Sequence, residues 1–452
     1  MSAACAHASY LIGDGGEAVV VDPSRDVQMY LDEAAAHGLT IRWILETHLH
    51  ADFVSGHRDL KARTGATIAI GAKAEAGYPH RALHEGDEIR VGDVVLRAME
   101  TPGHTPESLC FVVFAHAGDP TPWAVLTGDT LFVGDVGRVD ILSSRLPVSE
   151  LAGLMYDSLH GKLLELPDET RVYPAHGAGS LCGRSISQER WSTIGREREM
   201  NVALADHGRE AFIAEITRDV PETPVYFLHS RDLNKAGPSL EGERDLPPAL
   251  TPGEAKRADD AGCRAPRRAR GPGVRALSSG GSAPCEPRWT VRLVGGHAGA
   301  PGPGDRAAGR SERAEEAVMR LARVGYERVV GILEGGCDAW CNAGLPHGSI
   351  TEIDAADLAP GAPHLLDVRR PAEWELFHVA GAVHVPLARL SERLADLDSA
   401  AEWTLVCASG YRSLIAASLL RRSGFARVRN VRDGMDAYQR AGLPVESGVP
   451  AQ

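Results

Sequence analysis

The chain is poor in aromatic residues, at 5%, and holds no apolar run long enough to span a membrane. It also lacks an excess of basic charge: 48 Lys and Arg stand against 61 Asp and Glu, a formal net charge of −13. That balance argues against a general nucleic-acid binder and against an anionic membrane surface as partner. Eight cysteines scattered over 452 residues make no disulfide framework. The opening Met1-Ser2-Ala3-Ala4-Cys5 lacks the basic-then-apolar order of a secretory signal. The expectation is a reducing, cytoplasmic setting. What is present is ordinary for a globular chain, with 43% apolar and 24% charged residues. At roughly 100–200 residues per domain, the length predicts two to four domains.

Composition divides the chain. Residues 262–310 carry nine arginines and only two acids, Glu286 and Asp305, with eleven glycines, six prolines and eight alanines. The stretch contains no Ile, Phe, Tyr or Lys. Such a segment buries too little apolar surface to offset its ordering entropy. It reads as a low-complexity linker or as the product of a shifted reading frame. Beyond it comes a repeat. Gly325-Tyr326-Glu327-Arg328-Val329, Gly336-Cys337-Asp338-Ala339-Trp340 and Ala343-Gly344-Leu345-Pro346 are echoed by Gly424-Phe425-Ala426-Arg427-Val428, Gly434-Met435-Asp436-Ala437-Tyr438 and Ala441-Gly442-Leu443-Pro444. The offset, 98 positions from Gly344 to Gly442, predicts tandem domains, since solenoid periods run about 20–50 residues. The second copy spans 350–447 and the first 252–348, with its opening half falling in the biased stretch.

Ahead of that stretch, apolar strands alternate with helical patterns, which predicts a sheet-based α/β architecture. Ligand-type residues stand where these strands end: Thr47-His48-Leu49-His50-Ala51-Asp52-Phe53, then Pro102-Gly103-His104, Thr127-Gly128-Asp129 and Tyr173-Pro174-Ala175-His176. One such residue would be a satisfied loop histidine or turn aspartate. Four motifs in this order point to a shared cavity, and imidazole with carboxylate suits zinc or iron.

His48-Leu49-His50-Ala51-Asp52, His104, Asp129 and His176 resemble the metal motifs of the metallo-β-lactamase fold over residues 1–245. The resemblance implies an αββα sandwich. Hydrolytic members such as glyoxalase II have HxHxDH, whose last histidine helps to hold a second metal; here Phe53 stands there, and a phenyl ring cannot ligate. Two histidines and one carboxylate with open positions are the signature of non-haem Fe(II) oxygenases. The site is accordingly similar to that of the persulfide dioxygenases of this superfamily. That resemblance implies one Fe(II) held by His48, His104 and Asp129, with His50, Asp52 and His176 behind the ligands. It also implies Arg138, in Gly137-Arg138-Val139-Asp140, as a group meeting a substrate carboxylate; an ion pair with Asp140 is the alternative. Gly179-Ser180-Leu181-Cys182-Gly183 resembles the bacterial persulfide dioxygenases that are fused to rhodanese domains.

Near the C-terminus a short strand, Trp403-Thr404-Leu405-Val406, runs into Cys407-Ala408-Ser409-Gly410-Tyr411-Arg412-Ser413 and then an apolar helix. A cysteine facing backbone N–H groups at a positive helix end is stabilised as thiolate. The loop resembles the active-site loop of the rhodanese sulfurtransferases, as do Asp367-Val368-Arg369, Glu373, and His378-Val379-Ala380-Gly381-Ala382 with Pro386. A cysteine phosphatase needs five residues between Cys and Arg; here there are four. The resemblance implies that Cys407 carries a sulfane sulfur, stabilised by Arg412 and by a cradle that includes Ser409 and Gly410. Arg369 and Asp367 are expected to brace the fold. The one earlier Cys-x4-Arg spacing, Cys263 to Arg268, falls in the biased stretch with Arg-Ala-Pro-Arg between its ends, and the first copy is expected to be silent.

The expected architecture is a metallo-β-lactamase αββα sandwich followed by two rhodanese-like α/β domains, the first incomplete. The expected activity oxidises glutathione persulfide, or a similar thiol persulfide, to sulfite and exchanges sulfane sulfur among persulfide, sulfite and thiosulfate. A homo-oligomer is compatible with this. A thioester hydrolase of the glyoxalase II type and a sulfurtransferase alone are the alternatives.

Overall fold

The structure is a computed structural model that describes residues 6–184, 186–205, 208–218, 223–224, 226–240, 247–260, 289–291, 317–327, 329–346, 349–358 and 362–448. The chain divides into two compact units, one of residues 1–246 with 319–327, the other of 247–318 with 328–452. Except for the strand Trp289–Val291, the 262–310 segment lies outside the described residues. No helix among the described residues is long and apolar enough to cross a membrane.

The first unit is built on two sheets. Five strands, Tyr10–Asp14, Glu17–Val21, Thr40–Leu45, Thr67–Gly71 and Arg81–Leu83, form one in sequential order. The other has six strands, in the order Ser192–Thr193, Arg171–Pro174, Ala124–Gly128, Leu109–Phe114, Val94–Glu100 and Glu88–Val91. The two-residue period of a strand assigns each side chain to a layer. Val19 and Val21 pack with Leu45, Phe111, Val113 and Leu126 in a core joining the sheets. Ala18 and Val20, on the opposite face, meet Tyr30, Ala34 and Leu60 of the helices Gln28–Ala36 and His57–Thr64. On the second sheet, Cys110, Val112 and Val125 face Leu151, Met155 and Leu159 of the helix Val148–Gly161. Helix, sheet, sheet, helix is the αββα sandwich that the motifs implied. Apolar residues at successive positions are all used because both faces of each sheet are covered.

The second unit contains a parallel sheet in the order Thr351–Ile353, Arg427–Val431, Glu402–Val406, Leu365–Asp367 and Val383–His384. Its two faces bury separate clusters. Leu366, Trp403 and Leu405 meet Ala416, Ala417 and Leu420 of the helix Tyr411–Arg422, whereas Leu365, Val406 and Val431 meet Met435 and Tyr438 of the helix Gly434–Arg440. This is the rhodanese-like layering. A smaller parallel sheet, Ala249–Leu250, Val329–Leu333 and Trp289–Val291, occupies the stretch read as a first copy.

One assignment departs from the reading by repeats. Residues 319–327, whose last three open the repeat, pack within the first unit. Glu327 pairs with the fully buried Arg25, which also reaches Asp59 and the Ser239 carbonyl. Arg323 pairs with Asp26, and its carbonyl accepts the Val54 N–H at 2.7 Å. Buried charge needs a matched partner, and Arg25 fixes where the segment goes. Glu327→Ala is expected to cost about 2 kcal/mol, given the usual worth of a hydrogen bond to a charged group. A lowered midpoint for the first unit in thermal unfolding, with the second unit's transition unmoved, is the measurement that checks this.

Candidate functional site

The histidine-rich turn starts where the strand Thr40–Leu45 ends, and each further motif lies at the end of a strand in the second sheet. Close approach demands glycine at two places. A Cβ at Gly128, which has φ +52°, would stand 2.7 Å from Thr47 Oγ1. One at Gly137 would stand 1.8 Å from the Asp129 carbonyl and 3.2 Å from His104 Nδ1.

His48, His104 and Asp129 are brought together, each at most 2% exposed, with donor atoms within 4.8 Å of one another. His104 Nε2 lies 3.4 Å from Asp129 Oδ2, and His48 Nε2 lies 3.9 Å from it. Hydrogen-bond accounting fixes both ring tautomers. His104 Nδ1 faces the Arg138 carbonyl at 2.7 Å and must donate to it. Thr47 Oγ1 gives its proton to Asp22 Oδ2 at 2.8 Å, so His48 Nδ1, 2.9 Å from that oxygen, must also donate. Both Nε2 atoms therefore turn bare lone pairs toward a carboxylate, and His48 Nε2 has no hydrogen-bond partner. Converging acceptors need a cation between them, and the donor set fits a first-row divalent metal. Burial holds the His104 pKa down to about 4 and that of His48 well below the usual range, so both rings are in the neutral form that ligates.

Of the residues expected behind the ligands, His176 reaches both carboxylates, with Nε2 3.4 Å from Asp129 Oδ1 and 3.5 Å from Asp52 Oδ2. Its neighbour Cys182, 1% exposed, completes a group of three buried donors, Asp52, His176 and Cys182. Burial, then the Asp52 and Asp129 charges, push that thiol's pKa well up. His50 turns another way. Its Nε2 lies 3.0 Å from Asp22 and 3.4 Å from Glu46, whose other oxygen receives the Ser55 hydroxyl at 2.5 Å and lies 3.3 Å from His57 Nδ1. Burial raises the Asp22 pKa to about 6 and that of Glu46 well above the carboxylate range. Asp22, Glu46, His57 and His7 were not singled out from sequence. Asp22 and Glu46 each follow directly on an apolar strand, the same signal that revealed the motifs.

Phe53, 5% exposed, packs against His50 at 4.4 Å and His7 at 4.2 Å between ring centroids. Its carbonyl and that of His50 both accept from Asn234 Nδ2 at 2.8 Å, so the helix Tyr226–Ala236 clamps the turn. Arg138 is not presented as the free substrate-binding cation implied by the resemblance. Nε and Nη2 make a bidentate pair with Asp140 at 2.7 Å, while Nη1 reaches the Leu181 carbonyl and Nη2 the Thr223 hydroxyl. A two-residue separation on one loop brings fork and carboxylate into register, and the brace wins.

In the second unit Cys407 is fully buried at the end of the strand Glu402–Val406, ahead of the helix Tyr411–Arg422. Gly410 turns the loop with φ +81°, and Ser409 stands exposed beside it. Ser413 Oγ lies 3.3 Å from the sulfur. The Met435 and Asp436 amides donate to the Cys407 and Ala408 carbonyls at 2.7 and 2.9 Å, so the helix Gly434–Arg440 pins the loop from behind. Arg412, expected to face the sulfur, pairs with both oxygens of Glu373 at 2.7 and 2.6 Å. Arg369 makes three hydrogen bonds to the Asp367 carboxylate, the brace expected of it.

A sandwich with buried histidines and carboxylates at its strand ends, followed in the chain by a parallel α/β domain with a cysteine loop, is the combination of a metallo-β-lactamase fold with a rhodanese-like domain. The Metallo-beta-lactamase superfamily model matches residues 3–176 and the Rhodanese-like domain model residues 352–441. A probable metallo-hydrolase of Burkholderia pseudomallei is 35% identical over 276 residues, 52% of this chain and 90% of the relative. The mitochondrial persulfide dioxygenase ETHE1 of Mus musculus is 30% identical over 189 residues, 40% of this chain and 68% of the relative. A metallo-beta-lactamase structure from Staphylococcus aureus subsp. aureus COL shares the fold at 24% identity, with a TM-score of 0.50 over 94% of this chain and 95% of that one. The chain belongs to the metallo-beta-lactamase superfamily and carries a C-terminal rhodanese-like domain. Alanine at His48, His104 or Asp129 is expected to remove bound divalent metal, measured as metal per chain by mass spectrometry of the purified variants. Stoichiometric metal retained in all three would overturn the ligand set.

Proposed function

We propose that the first unit is a mononuclear non-haem Fe(II) dioxygenase acting on a thiol persulfide, with glutathione persulfide as substrate and sulfite as product. The reaction balances as R–S–SH + O2 + H2O → R–SH + SO3²⁻ + 2 H⁺, the sulfane sulfur giving four electrons and O2 taking them. The observation that carries this reading is Phe53. It puts an apolar ring where a hydrolase of this fold has a metal-binding histidine, beside a complete set of two histidines and one carboxylate. Iron held by His48, His104 and Asp129 would supply the redox chemistry that couples O2 to sulfur and that side chains lack. The protein's own part is positional. Thr47 and the Arg138 carbonyl hold the two rings, and Gly137 lets Asp129 and His104 approach. His50, Asp52 and His176 orient groups around the ligands. Relatives named persulfide dioxygenase support this reading.

The second unit is proposed to carry sulfane sulfur on Cys407, exchanging it among persulfide, thiosulfate and sulfite, with residues 252–348 as a silent copy. One chain then makes a sulfur species and moves it, at the raised effective concentration that tethering gives. A cytoplasmic setting and a homo-oligomeric state belong to the same proposal.

A second reading, a two-metal thioester hydrolase, is favoured by one observation: Asp52, His176 and Cys182 stand together next to Asp129 and offer donors for another cation. Oxygen uptake with glutathione persulfide and metal analysis separate the two. One iron per chain with uptake supports the dioxygenase; two zinc ions with thioester cleavage and no uptake overturn it. Phe53→His is expected to raise second-metal binding with no gain in oxygen uptake, measured by titration with zinc and by an oxygen electrode. Cys407→Ser is expected to abolish sulfur transfer and leave oxygen uptake nearly unchanged. Mass spectrometry after sulfur loading should find one labile sulfur adduct, on Cys407.

A further inference from the structure

A hydroxyl taken out of water costs free energy unless it is hydrogen-bonded, so a fully buried serine needs a reason. Ser413 is such a residue, in the first turn of the helix Tyr411–Arg422. The sulfur it meets belongs to Cys407, whose other neighbours form an apolar cluster that includes Leu366, Leu405, Ala416 and Ala417. Ser413 Oγ lies 3.0 Å from the Gly410 carbonyl and 3.3 Å from Cys407 Sγ, with one proton to give. The Gly410 carbonyl does not depend on that proton, because the Leu414 N–H already donates to it at 3.1 Å. Ser418 on the same helix makes the ordinary form of this contact, donating to the Leu414 carbonyl at 3.0 Å.

Where the Ser413 proton goes depends on the charge of the sulfur. Hydrogen bonds to ionised groups are roughly twice as strong as neutral ones, so a thiolate wins the proton from a carbonyl. A sulfur bonded to a second sulfur is a weak, neutral acceptor, and the proton returns to Gly410. Transfer passes through both states. Loading, written for the protonated persulfide, is Cys407–S⁻ + R–S–SH → Cys407–S–SH + R–S⁻: the thiolate attacks the outer sulfur, and the electron pair of the broken S–S bond leaves on R–S⁻. Discharge is Cys407–S–SH + R′–S⁻ → Cys407–S⁻ + R′–S–SH: an acceptor thiolate attacks the outer sulfur, and the pair leaves on Cys407 Sγ. That atom is charged before the first step and after the second, and neutral between them. Arg412 acts on the same sulfur through its charge: its pKa is raised first by Glu373 and also by Cys407.

We propose that Ser413 is a catalytic residue of the Cys407 loop: its hydroxyl bonds the sulfur while it is a thiolate and so assists Cys407 as leaving group in discharge. This rests on the sulfurtransferase reading and adds a residue to that site. A less stabilised thiolate is a stronger nucleophile and a poorer leaving group, so the hydroxyl speeds the second step and slightly restrains the first.

The test uses the full-length protein under nitrogen, so that no oxygen reaches the first unit. Glutathione persulfide loads Cys407 in a single turnover, the desalted protein is discharged into dithiothreitol, and mass spectrometry follows the adduct through both steps. Ser413→Ala is expected to slow discharge about tenfold, the low end of what one hydrogen bond to a charged group is worth. It should also move the rise of loading rate with pH upward by about one unit. Above that rise, loading should be at least as fast as in the wild type. Ser418→Ala, which removes a comparable hydrogen bond from the same helix, is expected to leave both rates unchanged. Discharge as fast in Ser413→Ala as in the wild type, or loading and discharge slowed equally at every pH, overturns the proposal alone. A wild-type Cys407 that takes up no sulfur overturns the sulfurtransferase reading with it.

Discussion

Two imidazole lone pairs and a carboxylate held face to face, out of reach of solvent, are an unfavourable arrangement without a cation, and much of the first unit exists to enforce it. Thr47 passes its proton to Asp22 and so compels His48 to donate from Nδ1; the Arg138 carbonyl compels His104 to do the same. Each constraint leads outward to another. Arg138 is fixed by Asp140, and the turn carrying His48 is clamped by Asn234 and tied through Val54 to Arg323. A metal-binding site costs folding energy until metal arrives, so such sites are supported by the surrounding packing. The αββα sandwich, covered on both outer faces, supplies that support.

The legible part of this protein was whatever is written locally. Strands with apolar runs were readable because burial on both faces removes polar alternation, as in Leu109–Phe114, where all six residues are buried. Gly38, with φ +64°, follows the helix Gln28–Ala36 at its C-terminal end, a stop of the kind that glycine marks in a sequence. The motif residues were readable because ligand-type side chains at strand ends have few structural uses. What stayed hidden depends on partners distant in sequence. Nothing near Arg138 tells how its fork divides between Asp140 and a substrate. The pairing of Arg412 with Glu373 joins residues 39 positions apart, beyond the reach of any local pattern. The direction of His50 is set by Asp22 and Glu46, and neither carboxylate lies within the motif that includes it.

The two halves treat charge in opposite ways. In the first, like groups are pressed together, with burial and neighbouring charge displacing their protonation equilibria, and the tension is one that a metal relieves. In the second, one carboxylate beside the loop is shared by two guanidiniums, and burial of Glu373 is outweighed by Arg412 and Arg370, which hold its pKa to about 2.

The segment 319–327 has a consequence for the order in which the chain takes shape. The first unit is discontinuous: it ends near residue 246 and resumes more than seventy residues later, and the resumed part supplies Glu327 to Arg25 and the carbonyl of Arg323 to Val54. A ribosome adding roughly 5–20 residues each second needs several seconds to cover that interval. Through that time Arg25 and the Val54 amide await partners not yet made. The first domain to be synthesised is therefore among the last to be completed, since its contacts at Arg25 and Val54 close only after the chain has begun its second domain.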